Sequence, residues 1–170
     1  SSRTATLTFT GGGVTKTATI IQAGVSKPDL VVQNVTASPT SVVAGHNVSI
    51  SSRVKNQGTS SSSSSYLGYY LSTNTTLGST DTYLGLDGVS SLNAGSQSYE
   101  SLSTTLSSSL TPGTYYILFV ADYFNTVTES NETNNIGYYQ ITINSSSPDL
   151  VIQSQTASPS SLTPGSSISL

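Results

Sequence analysis

Pro28-Asp29-Leu30-Val31-Val32-Gln33 returns 120 residues later as Pro148-Asp149-Leu150-Val151-Ile152-Gln153, and the match runs without a gap to Ile50 and Leu170, twelve of twenty-three positions identical. A repeat spaced by one domain's length predicts a tandem array. The first copy has room to close as a complete domain over 28–144, whereas 148–170 holds only what corresponds to two first strands. Two strands cannot bury an apolar face alone, so this stretch is expected to be completed by further chain or by neighbouring molecules. Function is therefore sought in assembly and surface display before catalysis.

Along the chain, alternation of apolar and polar residues dominates. Arg3-Thr4-Ala5-Thr6-Leu7-Thr8-Phe9 and Val14-Thr15-Lys16-Thr17-Ala18-Thr19-Ile20-Ile21 flank Gly11-Gly12-Gly13, which predicts a β-hairpin over 1–24, the end of an upstream domain. Residues 25–27 read as a linker. Over 28–144 the pattern predicts seven strands, near 29–37, 47–55, 65–73, 82–86, 98–106, 114–122 and 136–143, separated by glycine and proline turns and without a helical period. The fold class is all-β, an immunoglobulin-like seven-stranded sandwich. Ser60 to Ser65 reads as a solvated, flexible spacer loop, and 145–147 as a second linker.

Thr114-Tyr115-Tyr116-Ile117-Leu118-Phe119-Val120-Ala121 is apolar or aromatic on both faces, the mark of a central strand covered on each side. One face belongs to the core. The other, with Tyr116, Leu118 and Val120, is expected to join Tyr69, Leu71, Tyr138 or Tyr139 in an outward contact patch. The competing expectation is a long loop folded over this sheet.

Composition narrows the partners. Net charge is -3 without a basic cluster, which leaves nucleic acid and anionic membrane no electrostatic footing. No apolar run reaches the length of a membrane span. Cysteine is absent, which removes disulfides and thiolate metal sites. Only 8% of residues are charged, while serine and threonine exceed a third of the chain, a surface chemistry that points to the cell exterior.

Three motifs occur in order: Pro28-Asp29-Leu30-Val31-Val32; Val54-Lys55-Asn56-Gln57-Gly58-Thr59; and Asp122-x-x-Asn125-x-Val127-x-Glu129-x-x-Glu132-x-Asn134-Asn135. Together they resemble the CARDB family, the cell-adhesion-related domain of bacteria and archaea, over 28–144 and again at the start of the copy in 148–170. The resemblance implies immunoglobulin-like sandwiches strung along large extracellular proteins, with surface architecture and adhesion rather than a reaction. Residues 1–24 resemble the last hairpin of a BACON domain, another extracellular β-sandwich, from which no binding site carries over.

The acidic loop is the one constellation with chemical promise. Asp122, Asn125, Glu129 and Glu132 are calcium candidates, since Ca²⁺ takes six to eight oxygens in flexible geometry. The spacing does not match an EF-hand, and the preferred expectation is that Asp and Asn side chains bond to backbone amides in the bend. No other cofactor is expected. A glycosidase pair needs carboxyls held across a cleft, which one short loop does not offer. His46, the only histidine, has no motif tying it to a serine or an acid, and Lys55 is read as an exposed strand-end lysine rather than half of an isopeptide crosslink. No catalytic residue is assigned and the chain is read as no enzyme.

Asn34, Asn47, Asn74, Asn131 and Asn144 satisfy the Asn-x-Ser/Thr pattern, a number that ten asparagines in so hydroxyl-rich a chain approach by chance. The physical case for glycans is the charge-poor surface, which calls for another solvating layer or burial in an assembly. The leading expectation is a structural, glycosylated segment of an extracellular filament or stalk whose partners are neighbouring copies of itself. The competing one is an adhesin or carbohydrate-binding module, with tyrosines stacked on surface glycans; a passive spacer is the weakest.

Overall fold

The computed structural model describes residues 2–146, 150, 151, 153, 161 and 163–167. The repeat in 148–170 therefore falls largely outside the described residues. Ten strands and no helix occur among the described residues.

The first two strands, β1 (Arg3–Gly11) and β2 (Val14–Gln22), form the expected hairpin. Gly12 and Gly13 hold φ values of 58° and 77° in its two-residue turn, a left-handed pair that suits glycine and matches the twist of antiparallel strands. Pairing of Leu7 with Ala18 and Phe9 with Lys16 sorts the side chains by parity. Thr4, Thr6, Thr8, Thr10, Thr15, Thr17 and Thr19 share one face with Ile21; Ala5, Leu7, Phe9, Val14, Ala18 and Ile20 share the other, with Arg3, Lys16 and Gln22 among them. Both faces are exposed, with Phe9 at 62%.

The remaining strands are β3 (Leu30–Ser38), β4 (Ser41–Val43), β5 (Asn47–Asn56), β6 (Ser65–Ser72), β7 (Thr82–Val89), β8 (Gln97–Thr105), β9 (Gly113–Val120) and β10 (Ile136–Asn144). They make two sheets, β4-β10-β9-β6-β7 and β3-β5-β8. All pairs are antiparallel except β4 with β10. The chain changes sheets at the cis Ser38–Pro39 bond, so β3 lies in one sheet and the short β4 in the other.

Alternation places the core. Val48, Ile50 and Val54 of β5 face Leu67, Tyr69 and Leu71 of β6, Ile117 and Phe119 of β9, and Ile141 and Ile143 of β10, all buried. Tyr69 and Phe119 meet edge to face, with ring centroids 5.6 Å apart. Two glycines let the sheets close. A Cβ on Gly137 would lie 3.0 Å from Val32, and one on Gly85 would lie 2.7 Å from Leu102, so each edge of the sandwich is pinched where a side chain is missing.

The seven expected strands are present with ends shifted by a few residues, and β4 is an addition. It is too short to show a period. The serine run differs from the expected flexible spacer. Ser62 donates its backbone N–H to Leu92 O at 2.9 Å, Ser61 Oγ donates to Asn93 Oδ1 at 3.1 Å, and Ser62 and Ser65 are buried. Small side chains here fill a close chain crossing.

Candidate interaction surface

The three sequence motifs meet at one end of the sandwich. Asn56, fully buried, spends all of its amide capacity there: Oδ1 accepts from Asp29 N at 3.1 Å and Gly58 N at 3.0 Å, and Nδ2 donates to Ser60 O at 2.8 Å and Leu92 O at 2.9 Å. Gln57 N donates to Asp29 O at 2.8 Å and Gln57 Nε2 to Asp29 Oδ2 at 3.1 Å. Gly58 has no room for a side chain, since a Cβ would lie 2.5 Å from Lys27 O. The acidic loop closes the knot from the other side, with Asn134 Nδ2 donating to Asp29 Oδ1 at 2.9 Å and Ser130 N to Pro28 O at 2.9 Å.

Within that loop the carboxylates accept from amides. Asp122, at φ 45°, accepts from Val127 N at 2.8 Å and from Thr126 N and Oγ1 at 3.2 and 3.1 Å. Glu129 accepts from Leu30 N and, at 2.8 Å, from Asn135 Nδ2. Glu132 accepts from Glu129 N at 2.7 Å, while Asn125, at φ 51°, gives its own N–H to Asp122 O at 2.7 Å. Burial pushes the Glu129 carboxyl above its ordinary range, an effect opposed by the Leu30 and Asn135 donors. Among the described residues no three acidic, histidine or cysteine side chains gather around one point. His46 is exposed in the turn before β5, and Lys55 alternates with the inward Val54 and Asn56, on the outer face of its strand.

The same loop builds the outer face of the five-stranded sheet. Tyr123 donates its backbone N–H to Tyr66 O at 2.9 Å and lays its ring over Gly68, where a Cβ would lie 2.5 Å from that ring. Its hydroxyl meets the Tyr70 hydroxyl at 3.0 Å, Tyr70 stacks edge-on with Tyr83, and Phe124 packs on Tyr66 at 5.3 Å. Tyr116 and Tyr138 form a second edge-to-face pair at 5.9 Å. The hydrogen bond to Tyr123, with burial second, pushes the Tyr70 phenol up to about 12. Tyr66, Tyr83, Phe124, Ile136 and Tyr138 are exposed around this face, with Tyr138 at 53%.

The expected patch needs two corrections. Tyr69 is not on it: its pairing with Phe119, one step from Tyr70 with Leu118, turns it into the core, and Leu71 and Tyr139 likewise face inward. Leu118 and Val120 do lie on the outer face but are 0% and 9% exposed, because the loop and flanking tyrosines cover them. Loop cover and contact patch, set up as alternatives, coexist. Tyr66, Tyr70, Tyr83, Tyr123 and Phe124 were missed. Tyr66-Leu67-Gly68-Tyr69-Tyr70-Leu71 is apolar on both faces and hides its own parity, and the readable signal was Gly68, a gap in an aromatic strand.

The five sequon asparagines, Asn34, Asn47, Asn74, Asn131 and Asn144, are all exposed. Asn74 and Asn131 lie in loops, where their Oδ1 atoms accept from Thr76 N at 2.7 Å and Thr133 N at 3.1 Å.

Comparison with known proteins agrees with this architecture. The CARDB family model matches residues 27–138. The chain is similar to a CARDB domain from Pyrococcus furiosus crystallised in complex with di-metal ions, at a TM-score of 0.55 and 24% identity over 71% of this chain and 97% of that one. The solution structure of that domain gives 0.53 and 23% over 70% and 97%. A domain of a Methanosarcina acetivorans protein, described there as a proposed cell surface protein, gives 0.50 and 22% over 69% and 93%. At these identities the likeness is one of fold. No curated protein matches the sequence significantly.

Proposed function

The chain belongs to the CARDB family, and from that premise we propose that it is a non-enzymatic structural segment of an extracellular, glycosylated filament or stalk whose sandwich domains pack or exchange strands with their neighbours. The observation that carries this reading is the hairpin β1–β2, which turns Leu7, Phe9, Val14 and Ile20 to solvent on one face and a wall of threonines on the other. A two-stranded sheet with an open apolar face is marginal in water, so a neighbouring domain is the natural cover. Two further features support it. The surface is poor in charge, and it carries five exposed sequons.

Sedimentation velocity of the full chain tests the role of the hairpin. The wild type is expected to associate with rising concentration, and Phe9→Ser with Ile20→Ser is expected to suppress association while the domain over 28–144 stays folded by circular dichroism. Unchanged association in that variant removes the hairpin from the contact.

The outer tyrosine face favours a second reading, a carbohydrate-binding or adhesive module. Exposed rings of Tyr66, Tyr83, Phe124 and Tyr138 offer apolar platforms of the kind that sugar faces stack on. Specific signals on a glycan array that vanish with Tyr138→Ala and Tyr83→Ala would support it; a silent array would reject it.

A further inference from the structure

At the β7–β8 edge, polar side chains enter the interior of the sandwich away from the acidic loop. Glu100 of β8 lies directly opposite Ser52 of β5, and both point between the sheets, 5% and 1% exposed. Asp87 of β7 pairs with the core residue Leu67 and therefore shares its inward face. It is drawn across to the other sheet, where Oδ2 accepts from Ser101 N at 3.2 Å, while Oδ1 accepts from Gly88 N at 2.9 Å. The fully buried hydroxyl of Tyr69 enters the same interior, since Tyr69 of β6 pairs with Gly85, two residues from Asp87 on the inward face of β7. Glu100 Oε1, Tyr69 OH, Ser52 Oγ and, further along β6, Ser65 Oγ are buried and have no hydrogen-bond partner. No positive charge answers them from β5, since Arg53 and Lys55 alternate to its outer face.

Buried polar oxygens are ordinarily paired, and buried carboxylates ordinarily meet a cation or a donor. Glu100 Oε1, Ser52 Oγ and Tyr69 OH, unpaired in the interior with the Asp87 carboxylate nearby in register, call for a ligand that accepts lone pairs. We propose that Asp87, Glu100, Ser52 and Tyr69 form an inter-sheet site for a hard divalent cation of the calcium class. Carboxylates and neutral hydroxyls are the oxygen donors such an ion takes, and water completes its shell. A cation here ties β5 and β8 of one sheet to β6 and β7 of the other. In a chain without cysteine it is a crosslink of a kind that a disulfide supplies elsewhere. This site is independent of the filament reading and stands or falls separately.

Thermal melting and terbium luminescence of the full chain, stripped with chelator and titrated with Ca²⁺ and then Tb³⁺, test the proposal. Calcium is expected to raise the melting midpoint by several degrees and to compete away tyrosine-sensitised terbium emission at one site per chain. Glu100→Gln and Asp87→Asn, close isosteres, are expected to abolish both effects. Ser52→Ala is expected to weaken binding without altering charge, and Glu132→Gln in the acidic loop to leave both effects intact. The proposal is overturned if calcium leaves the midpoint unmoved, which would mean that Asp87 and Glu100 share a proton instead. It is equally overturned if the effects survive Glu100→Gln but disappear with Glu132→Gln, which would move the ion to the acidic loop.

Discussion

Asn56 shows how much one side chain does in this domain. Its amide satisfies four backbone groups drawn from the start of β3, its own turn, the serine run and the turn before β8. Truncation orphans those groups in a buried site, so Asn56→Ala is expected to lower stability by about 1–3 kcal/mol or more in urea denaturation. Glu129→Ala, which strands Leu30 N and Asn135 Nδ2, is expected to cost a similar amount. Tyr70 allows a pH test. Its phenol is raised from 10.0 to about 12, so the folded state holds that proton more tightly than the unfolded chain does. The stabilisation is fully present below pH 10 and is lost as pH rises through about 12. In an ultraviolet titration Tyr123→Phe is expected to bring this late-titrating tyrosinate down towards 10. At this scale the sequence was partly legible: the motif residues announced themselves as a set, but their meeting around Asp29 depends on contacts between positions 27 and 105 apart, which no local pattern carries.

Among elements, the strands were legible because each alternates or is flanked by turns. β5 reads directly from Val48, Ile50, Ser52, Val54 and Asn56, all inward. What escaped was parity where both faces are apolar. In β6 and β9 a one-residue choice decides whether Tyr69 or Tyr70 faces the core, and only pairing with Phe119 or Leu118 resolves it. β4 and the fixed serine run escaped for a related reason, since three residues and six serines have no pattern to read. The loop after β9 is the element on which the outer face depends. A Cβ on Gly68 would lie 2.5 Å from the Tyr123 ring, whereas one on Gly88 would meet nothing within 4 Å. Gly68→Ala is therefore expected to lift the loop, expose Leu118 and lower stability by about 1–3 kcal/mol, with Gly88→Ala close to wild type in the same melting series.

For the whole molecule, the sandwich over 28–144 is self-sufficient in its core, while the hairpin is not. The domain fastens its own first strand through a knot of three motifs and leaves Tyr66, Tyr83, Phe124 and Tyr138 exposed around its outer sheet face, while the separate hairpin exposes Leu7, Phe9 and Ile20. On the proposed reading these faces meet neighbouring sandwich domains, of the kind that the repeat starting at Pro148 resembles. The most direct measurement is cryo-electron microscopy of the protein as it occurs in its natural material. The account predicts regular filaments whose axial repeat is one or two sandwich domains, with density against Leu7, Phe9 and Ile20 and extending from exposed asparagine or hydroxyl side chains. Isolated particles with the hairpin bare, or beads on a flexible string with no lateral contact, would contradict it.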